Sequence, residues 1–258
     1  MNQIGPRAEH PLIGVTGFFT HTDGVPRVEL RLAYADAIQR AGGTPLIIPP
    51  VGAERELRRV LTMVDGLVVS GGDDFDMERL GRGATHSAAT KTPGFKQDLD
   101  LRLVELALEQ GIPLLGICYG MQAMVLADPT STLLQHLPED RPGCQEHRGR
   151  TRHPVNVAPG SKLARLLGVE RLDVISSHHQ AIGDPGERWA ATAHDDEGLI
   201  EAIEARTGHP FAVGVQWHPE AAPEGTPHDR LFRGLVGAAG MLAVRREFGS
   251  PPLQPTGQ

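Results

Sequence analysis

The sequence predicts one α/β domain: a central, mostly parallel sheet between helices, with a small antiparallel sheet added in the second half. Three observations predict it. Over residues 11–126, short apolar runs alternate with helix-period segments, the pattern of successive βαβ units. The run Ile112-Pro-Leu-Leu-Gly-Ile117 is apolar enough to be covered on both faces, as parallel strands are. From residue 154 onward, short strand-like runs instead lie close together.

Taken in order, Pro11-Leu-Ile-Gly-Val-Thr16 reads as the first strand. Val28 to Ala41 follows as a helix, with Tyr34, Ile38 and Ala41 on one side and a stop at Gly42-Gly43. Thr44 to Ile48 is a strand closed by Pro49-Pro50, Glu54 to Met63 a short helix, and Gly66 to Ser70 a third strand. The rhythm then breaks: from Gly71 to Phe95 the chain is polar, glycine-rich and without period. A stretch of that length inside a compact domain is usually functional or disordered. Lys96 to Gln110 resumes as a helix with Leu99, Leu103 and Leu106 on one side, leading into the strand at 112–117. In the second half, strands are expected at Pro154–Val157, Arg171–Ser176, Trp189–His194, Leu199–Glu204 and Phe211–Gln216. A last helix, Pro227 to Phe248, precedes a tail, Ser250–Gln258, whose prolines predict disorder.

A length of 258 residues fits this single domain, with its core over about 11–248. A formal charge of −7 offers no basic face to nucleic acid or anionic lipid, so neither is an expected partner. Two cysteines are too few for a disulfide scaffold, and no window approaches the ~20 apolar residues of a membrane span. Residues 1–10 lack the apolar stretch of a secretory signal, so a cytoplasmic location is expected.

The most informative stretch is Pro113-Leu-Leu-Gly-Ile-Cys-Tyr-Gly-Met-Gln122, where a buried strand runs through Gly116-Ile-Cys118-Tyr-Gly120 into a helix. Gly-x-Cys-x-Gly at such a junction is the cysteine form of the nucleophile elbow. A tight turn crowds the residues around the nucleophile, so glycines stand two before and two after it. The side chain is held at the C-terminal edge of the sheet, with a helix N-terminus aimed at the sulfur. The bland alternative, a cysteine packed as a small hydrophobe, gives those glycines no use.

A cysteine nucleophile needs a base, and the base an orienter. Among the twelve histidines, His218 ends the strand-like run Phe211-Ala-Val-Gly-Val-Gln-Trp-His218-Pro219-Glu220. Pro219 holds His218 extended, and in extended chain positions i and i+2 project to one side. Glu220 can therefore reach the His218 ring and fix its tautomer. The alternative is a histidine packed at a strand end beside a solvated glutamate. The other conspicuous pair, His178-His179, diverges on either a strand or a helix and has no carboxylate or cysteine at ligand spacing, so no metal is expected there. Cys144, in the loop Arg141-Pro-Gly-Cys144, reads as incidental.

Taken together, Gly116-Ile-Cys118-Tyr-Gly-Met-Gln122, Ser176-Ser-His-His-Gln180 and Gly214-Val-Gln-Trp-His218-Pro-Glu220 resemble the class I glutamine amidotransferase-like superfamily. Within it, the chain is similar to peptidase family C26, the γ-glutamyl-γ-aminobutyrate hydrolase branch. Further matching segments include Tyr34-Ala-Asp-Ala-Ile38, Ala41-Gly-Gly-Thr-Pro45, Asp65-Gly-Leu-Val-Val-Ser-Gly-Gly-Asp-Asp74 and Glu197-Gly-Leu-Ile-Glu-Ala202. The resemblance implies a flavodoxin-like three-layer sandwich and a Cys118–His218–Glu220 triad. It implies an oxyanion hole from the Tyr119 N–H and a glycine of Ser70-Gly71-Gly72, expected to be Gly72. Gln122, Ser177 and His178 match positions that hold the glutamyl α-amino and α-carboxylate groups, with Asp74 a further candidate. No cofactor or metal is implied.

The chain also departs from the branch. Tyr119 replaces the common Arg after the nucleophile, and Lys96-Gln97 replaces the usual Arg-Asp. Asp128-Pro-Thr-Ser-Thr132 stands where relatives carry Gly-Gly, and the loop from Gly71 reads Asp73-Asp-Phe-Asp-Met without the usual proline. These departures leave the triad untouched and are expected to lie around the pocket, and so to bear on which amine is accepted. The implied activity is hydrolysis of a small-molecule γ-glutamyl amide, through a thioester, to glutamate and amine; a homodimer is compatible with it. Two other readings use the same residues: a glutaminase subunit feeding ammonia to a separate synthase, and a non-catalytic binding module of the same fold.

Overall fold

The computed structural model describes residues 9–50, 52–206 and 208–248; the tail at 250–258, expected to be disordered, lies outside the described residues. The first half comprises β1 (Leu12–Thr16), a hairpin of β2 (Phe18–Thr22) and β3 (Val25–Glu29), α1 (Leu32–Arg40), β4 (Thr44–Ile48), α2 (Glu54–Met63) and β5 (Gly66–Val69). It continues with α3 (Gly94–Glu109), β6 (Leu114–Ile117) and α4 (Tyr119–Leu126). Then come β7 (Thr132–Leu134), α5 (Leu137–Asp140), β8 (Thr151–Val157), α6 (Lys162–Leu167), β9 (Arg171–Ser176), β10 (Ala181–Asp184), β11 (Trp189–Asp195), β12 (Ile200–Ala205), β13 (Ala212–Val215) and α7 (Asp229–Phe248).

Among the described residues the main sheet has eleven strands, with path order β4-β1-β5-β6-β13-β12-β11-β8-β9; β10 pairs with β12 and β7. The first five strands are mutually parallel, and pairing is antiparallel from β13 outward. Counted along the chain, the parallel five follow the flavodoxin-type order 2-1-3-4-5. Alternation along each strand divides the core. Leu67, Val69 and Leu114 pack with Leu61, Leu103 and Met124 of α2, α3 and α4 on one side. Val68, Leu115, Ile117 and Val215 pack with Tyr34, Leu163 and Phe232 of α1, α6 and α7 on the other. This is the three-layer sandwich.

The structure differs from the sequence reading in its details. Val28 and Glu29, read as the start of a helix, belong to β3; Asp23 (φ 52°) and Gly24 (φ 75°) form the two-residue turn of the hairpin. The antiparallel strands of the second half are continuous with the parallel ones, and the separate antiparallel pair is β2–β3 in the first half. Helix α6, unread in the sequence, is capped by Ser161, whose Oγ accepts the Ala164 N–H at 2.9 Å, and stops at Gly168 with φ 67°.

The aperiodic stretch after β5 is pinned by side chains. Gln97 Oε1 accepts the Asp76 N–H at 2.7 Å. The Arg82 guanidinium donates to the carbonyls of Leu126, Asp128 and Ser131 at 2.8, 2.8 and 2.9 Å, tying the loop to the end of α4. Because β5, β6 and β13 are adjacent and parallel, the segments that follow them (Ser70–Gly72, Cys118 and Gln216–His218) emerge side by side. Among the described residues no helix is long and apolar enough to cross a membrane.

Candidate active site

Cys118 sits between β6 and α4 with φ 53° and ψ −108°, a conformation that costs a non-glycine residue roughly 1–3 kcal/mol. The glycines on either side make the turn possible. A Cβ on Gly116 would stand 2.6 Å from the Gly120 carbonyl oxygen, and one on Gly120 would overlap the Val69 carbonyl oxygen. The Cys118 N–H still donates to Val215 O at 2.8 Å, so the turn remains bonded to β13. The sulfur stands at the N-terminus of α4 and accepts from Gln216 Nε2 at 3.5 Å.

His218 follows β13, its N–H donating to Ile175 O at 3.0 Å, and its Nδ1 lies 2.7 Å from Glu220 Oε1. Pro219 and Glu220 begin a single 3-10 turn that swings the carboxylate back to the ring. All three side chains are buried. Burial alone pushes the His218 imidazolium towards deprotonation. The adjacent Cys118 thiolate, which also accepts its hydrogen bond, and the Glu220 carboxylate outweigh that and hold the group up at about 10. Tyr34, buried beside Glu220, is pushed well above the ordinary phenol range by burial and then by that carboxylate.

The glycine pair after β5 is differentiated. The Gly71 N–H donates to Tyr34 Oη at 3.0 Å, whereas among the described residues neither the Gly72 nor the Tyr119 N–H has an intramolecular acceptor. Gly72 lies under the Tyr119 ring, which a Cβ would meet at 3.0 Å. Tyr119 stacks on Phe75 (centroids 4.4 Å apart, 6° between planes) and carries Lys96 Nζ 5.3 Å above its ring. Lys96 also pairs with buried Asp100 at 2.5 Å. A cation thus stands over the aromatic ring that follows Cys118.

Two hollows meet at Cys118. One, of about 200 Å³, is lined by Gly72, Asp74, Tyr119, Gln122 and Ser177–Gln180. The other, about 500 Å³, extends under the β2–β3 hairpin and is lined by Phe18, Phe19, Arg31, Asp73, Thr92, Lys96 and His218. Burial, then the neighbouring Asp74 carboxylate, raises Asp73 above the usual carboxylate range.

The structure brings the predicted site residues to one place, with two qualifications of role. Gln122 donates to Gln216 Oε1 at 3.2 Å and so braces another side chain. His178 turns its ring inward: Nδ1 faces Gln180 O at 2.9 Å and Nε2 lies 3.5 Å from Glu201 Oε1, leaving Ser177 and His179 to face the smaller hollow. His179 goes the other way, to Asp74 Oδ2 at 2.8 Å, so the adjacent rings do diverge. Gln216 was missed. Its signal was its place two residues before His218, just after β13, the strand paired with β6 of the elbow. His147, His153 and Glu201 were also missed; they gather around His178 from distant parts of the chain.

Fold and family together define a class: a hydrolase of the glutamine amidotransferase-like type. The chain belongs to the Peptidase C26 family, whose model matches residues 11–220. It is 37% identical over 253 residues to a Mycobacterium tuberculosis protein provisionally named a glutamine amidotransferase, covering 95% of this chain and 80% of that one. It is 32% identical over 241 residues to the γ-glutamyl-γ-aminobutyrate hydrolase PuuD of Escherichia coli K12, covering 89% and 93%. Among solved structures, the Trypanosoma brucei CTPS glutaminase domain with bound acivicin superposes with a TM-score of 0.63 at 17% identity, covering 90% of this chain and 94% of that one. That likeness concerns the fold alone.

Proposed function

We propose that the chain hydrolyses the γ-glutamyl amide bond of a small γ-glutamyl-amine conjugate, of which γ-glutamyl-γ-aminobutyrate is the first candidate. The Cys118 thiolate attacks the γ-carbonyl carbon. The oxyanion that forms is met by the Gly72 and Tyr119 N–H groups, an interaction worth ~2.7–4 kcal/mol per donor in comparable sites. His218, held by Glu220, gives its proton to the amine nitrogen as the C–N bond breaks, leaving a glutamyl thioester on Cys118. Water then attacks the thioester, its proton passing to His218, and glutamate leaves as the thiolate is restored.

The observation that carries this reading is the unequal pair of hollows meeting at Cys118. The smaller, polar one suits a glutamyl group, with Gln122, Ser177, the backbone of His178 and Asp74 as its partners. The larger one, about 500 Å³, exceeds what departing ammonia needs and suits an amine with a chain of its own. Similarity to the E. coli hydrolase supports the same substrate class. A glutaminase serving a separate synthase would use the same three residues but would have no use for that cleft.

Glutamate release by the purified chain from glutamine, γ-glutamyl-γ-aminobutyrate and several γ-glutamyl alkyl and aryl amides tests the proposal, with Cys118→Ala as blank. Turnover of one conjugate well above glutamine is expected. Turnover of glutamine alone, or none without a partner protein, would defeat it.

A further inference from the structure

The antiparallel half of the sheet encloses a second cluster of reactive side chains that the proposed hydrolysis does not use. His147 precedes β8, His153 lies on β8, His178 follows β9, and Glu201 lies on β12. All four are buried, and their ligand-type atoms lie within 4.8 Å of one another.

The orientation of the rings is informative. Nδ1 of His147, His178 and His153 faces a main-chain carbonyl oxygen (Gln145 at 2.8 Å, Gln180 at 2.9 Å, Pro154 at 3.2 Å). A carbonyl only accepts, so each Nδ1 carries the proton and each Nε2 is left for another partner. All three Nε2 atoms turn to one oxygen, Glu201 Oε1, at 3.8, 3.5 and 3.9 Å respectively. Among the described residues, neither oxygen of Glu201 nor Nε2 of His147 or His178 has a hydrogen-bond partner.

Those distances discriminate between two explanations. Imidazolium rings neutralising Glu201 would close to charge-assisted bonds of about 2.7–2.9 Å. Ligands of one tetrahedral ion, each about 2.0–2.1 Å from it, lie about 3.3 Å apart, and the 3.5–3.9 Å separations from Glu201 Oε1 fit that spacing better than they fit closed ion pairs. Charge points the same way. Glu201 and the adjacent Asp195, whose Oδ2 is 3.3 Å from His147 Nε2, have fully buried side chains, and among the described residues neither pairs with lysine or arginine. Asp195 is already occupied by the N–H groups of Glu197 and Leu199 (2.9 and 2.8 Å) and by Gln145 Nε2 (3.2 Å). A dication between the rings would offset both carboxylates.

We infer that His147, His153, His178 and Glu201 form a binding site for a divalent transition-metal ion, zinc being the ion their three imidazoles and one carboxylate suit best. The carbonyl contacts at Nδ1 are the outer hydrogen bonds that fix the tautomer of metal-bound histidines. Four protein ligands fill a tetrahedral shell and leave no open position, so the ion is structural. It joins the ends of β8 and β9 to β12 and anchors the Ser177–Gln180 segment that walls the smaller hollow. One adjustment is needed: the Ser176 hydroxyl, 2.5 Å from His153 Nε2, must give up that nitrogen.

The test loads the purified full chain with zinc, removes excess by gel filtration, and measures zinc by elemental analysis. About one ion per chain is expected, retained in Cys118→Ala and lost in Glu201→Gln and in His147→Gln. Cobalt loaded in its place should give the intense visible bands of a tetrahedral site in wild type and Cys118→Ala only. Zinc should raise the melting temperature of wild type and not of Glu201→Gln. Less than about 0.1 zinc per chain in wild type would overturn the inference, leaving a hydrogen-bonded imidazolium–carboxylate network. Zinc lost in Cys118→Ala would equally overturn it, placing the ion on the thiolate. Should either cluster variant fail to fold, wild type and Cys118→Ala decide by these criteria.

Discussion

In the parallel half of the sheet, Cys118 and His218 stand on turns just beyond strand ends and face a cleft, Cys118 with an unfavourable backbone conformation. In the antiparallel half, the histidines around Glu201 come from strands and short connections and turn their rings inward, and only His178 borders a hollow. The difference follows from topology. Parallel neighbours end on one edge, so the segments after β5, β6 and β13 converge whatever their separation in sequence. Antiparallel neighbours run in opposite directions, and their side chains meet within the layer instead. One half is thus suited to presenting groups to a substrate, and the other to fixing the wall on which part of that substrate rests.

The sharpest way to break this contrast is to remove the sulfur. Cys118→Ala should lower turnover of the preferred amide by roughly 10⁴-fold or more while leaving the circular dichroism spectrum unchanged. Retained turnover would move the chemistry elsewhere. Glu220→Gln preserves shape but lets the His218 tautomer wander, and a loss of roughly 10²–10⁴-fold in kcat with little change in KM is expected. An effect confined to KM would reassign Glu220 to binding.

Gly120→Ala tests the elbow itself. Its methyl would overlap the Val69 carbonyl, backbone that cannot rotate aside, so denaturant titration should show a loss of about 3 kcal/mol. The cleft side is gentler. Arg31→Ala should raise KM for an amide conjugate several-fold and leave glutamine turnover unchanged, sharpening the assignment of the larger hollow to the amine.

The smallest effect within the working range is the pH dependence. His218 must hold a proton to give to the leaving amine, and its folded-state value lies near 10. Turnover should therefore be insensitive to this group through neutral pH and fall as pH rises through about 10. In Cys118→Ala, where the charge and hydrogen bond raising it are gone, NMR should find the His218 ring losing its proton at lower pH. An unshifted ring would separate the two groups.

What the sequence made legible follows the same division. The parallel strands, α2 and the elbow were readable because their signals are local: apolar runs, helical period, and glycines at fixed offsets from Cys118. The His218–Glu220 pairing was readable because Pro219 fixes the chain between them. The β2–β3 hairpin had a local signal too, in Asp23-Gly24, but the apolar period at Tyr34 and Ile38 drew the helix too far back. The cluster at Glu201 had none. His147 and His153 lie in a polar connection and an outer strand, and Glu201 alternates with alanine and isoleucine like any strand residue. Only the pairing of β8, β9, β11 and β12 brings them together.

The account turns on a covalent glutamyl intermediate at Cys118. Acid quenching of wild-type enzyme turning over a γ-glutamyl amide, followed by peptide mass spectrometry, looks for it directly. A glutamyl adduct on the peptide containing Cys118, absent from Cys118→Ala, is the predicted result. Steady hydrolysis with no adduct at any quench time, undiminished in Cys118→Ala, would contradict it.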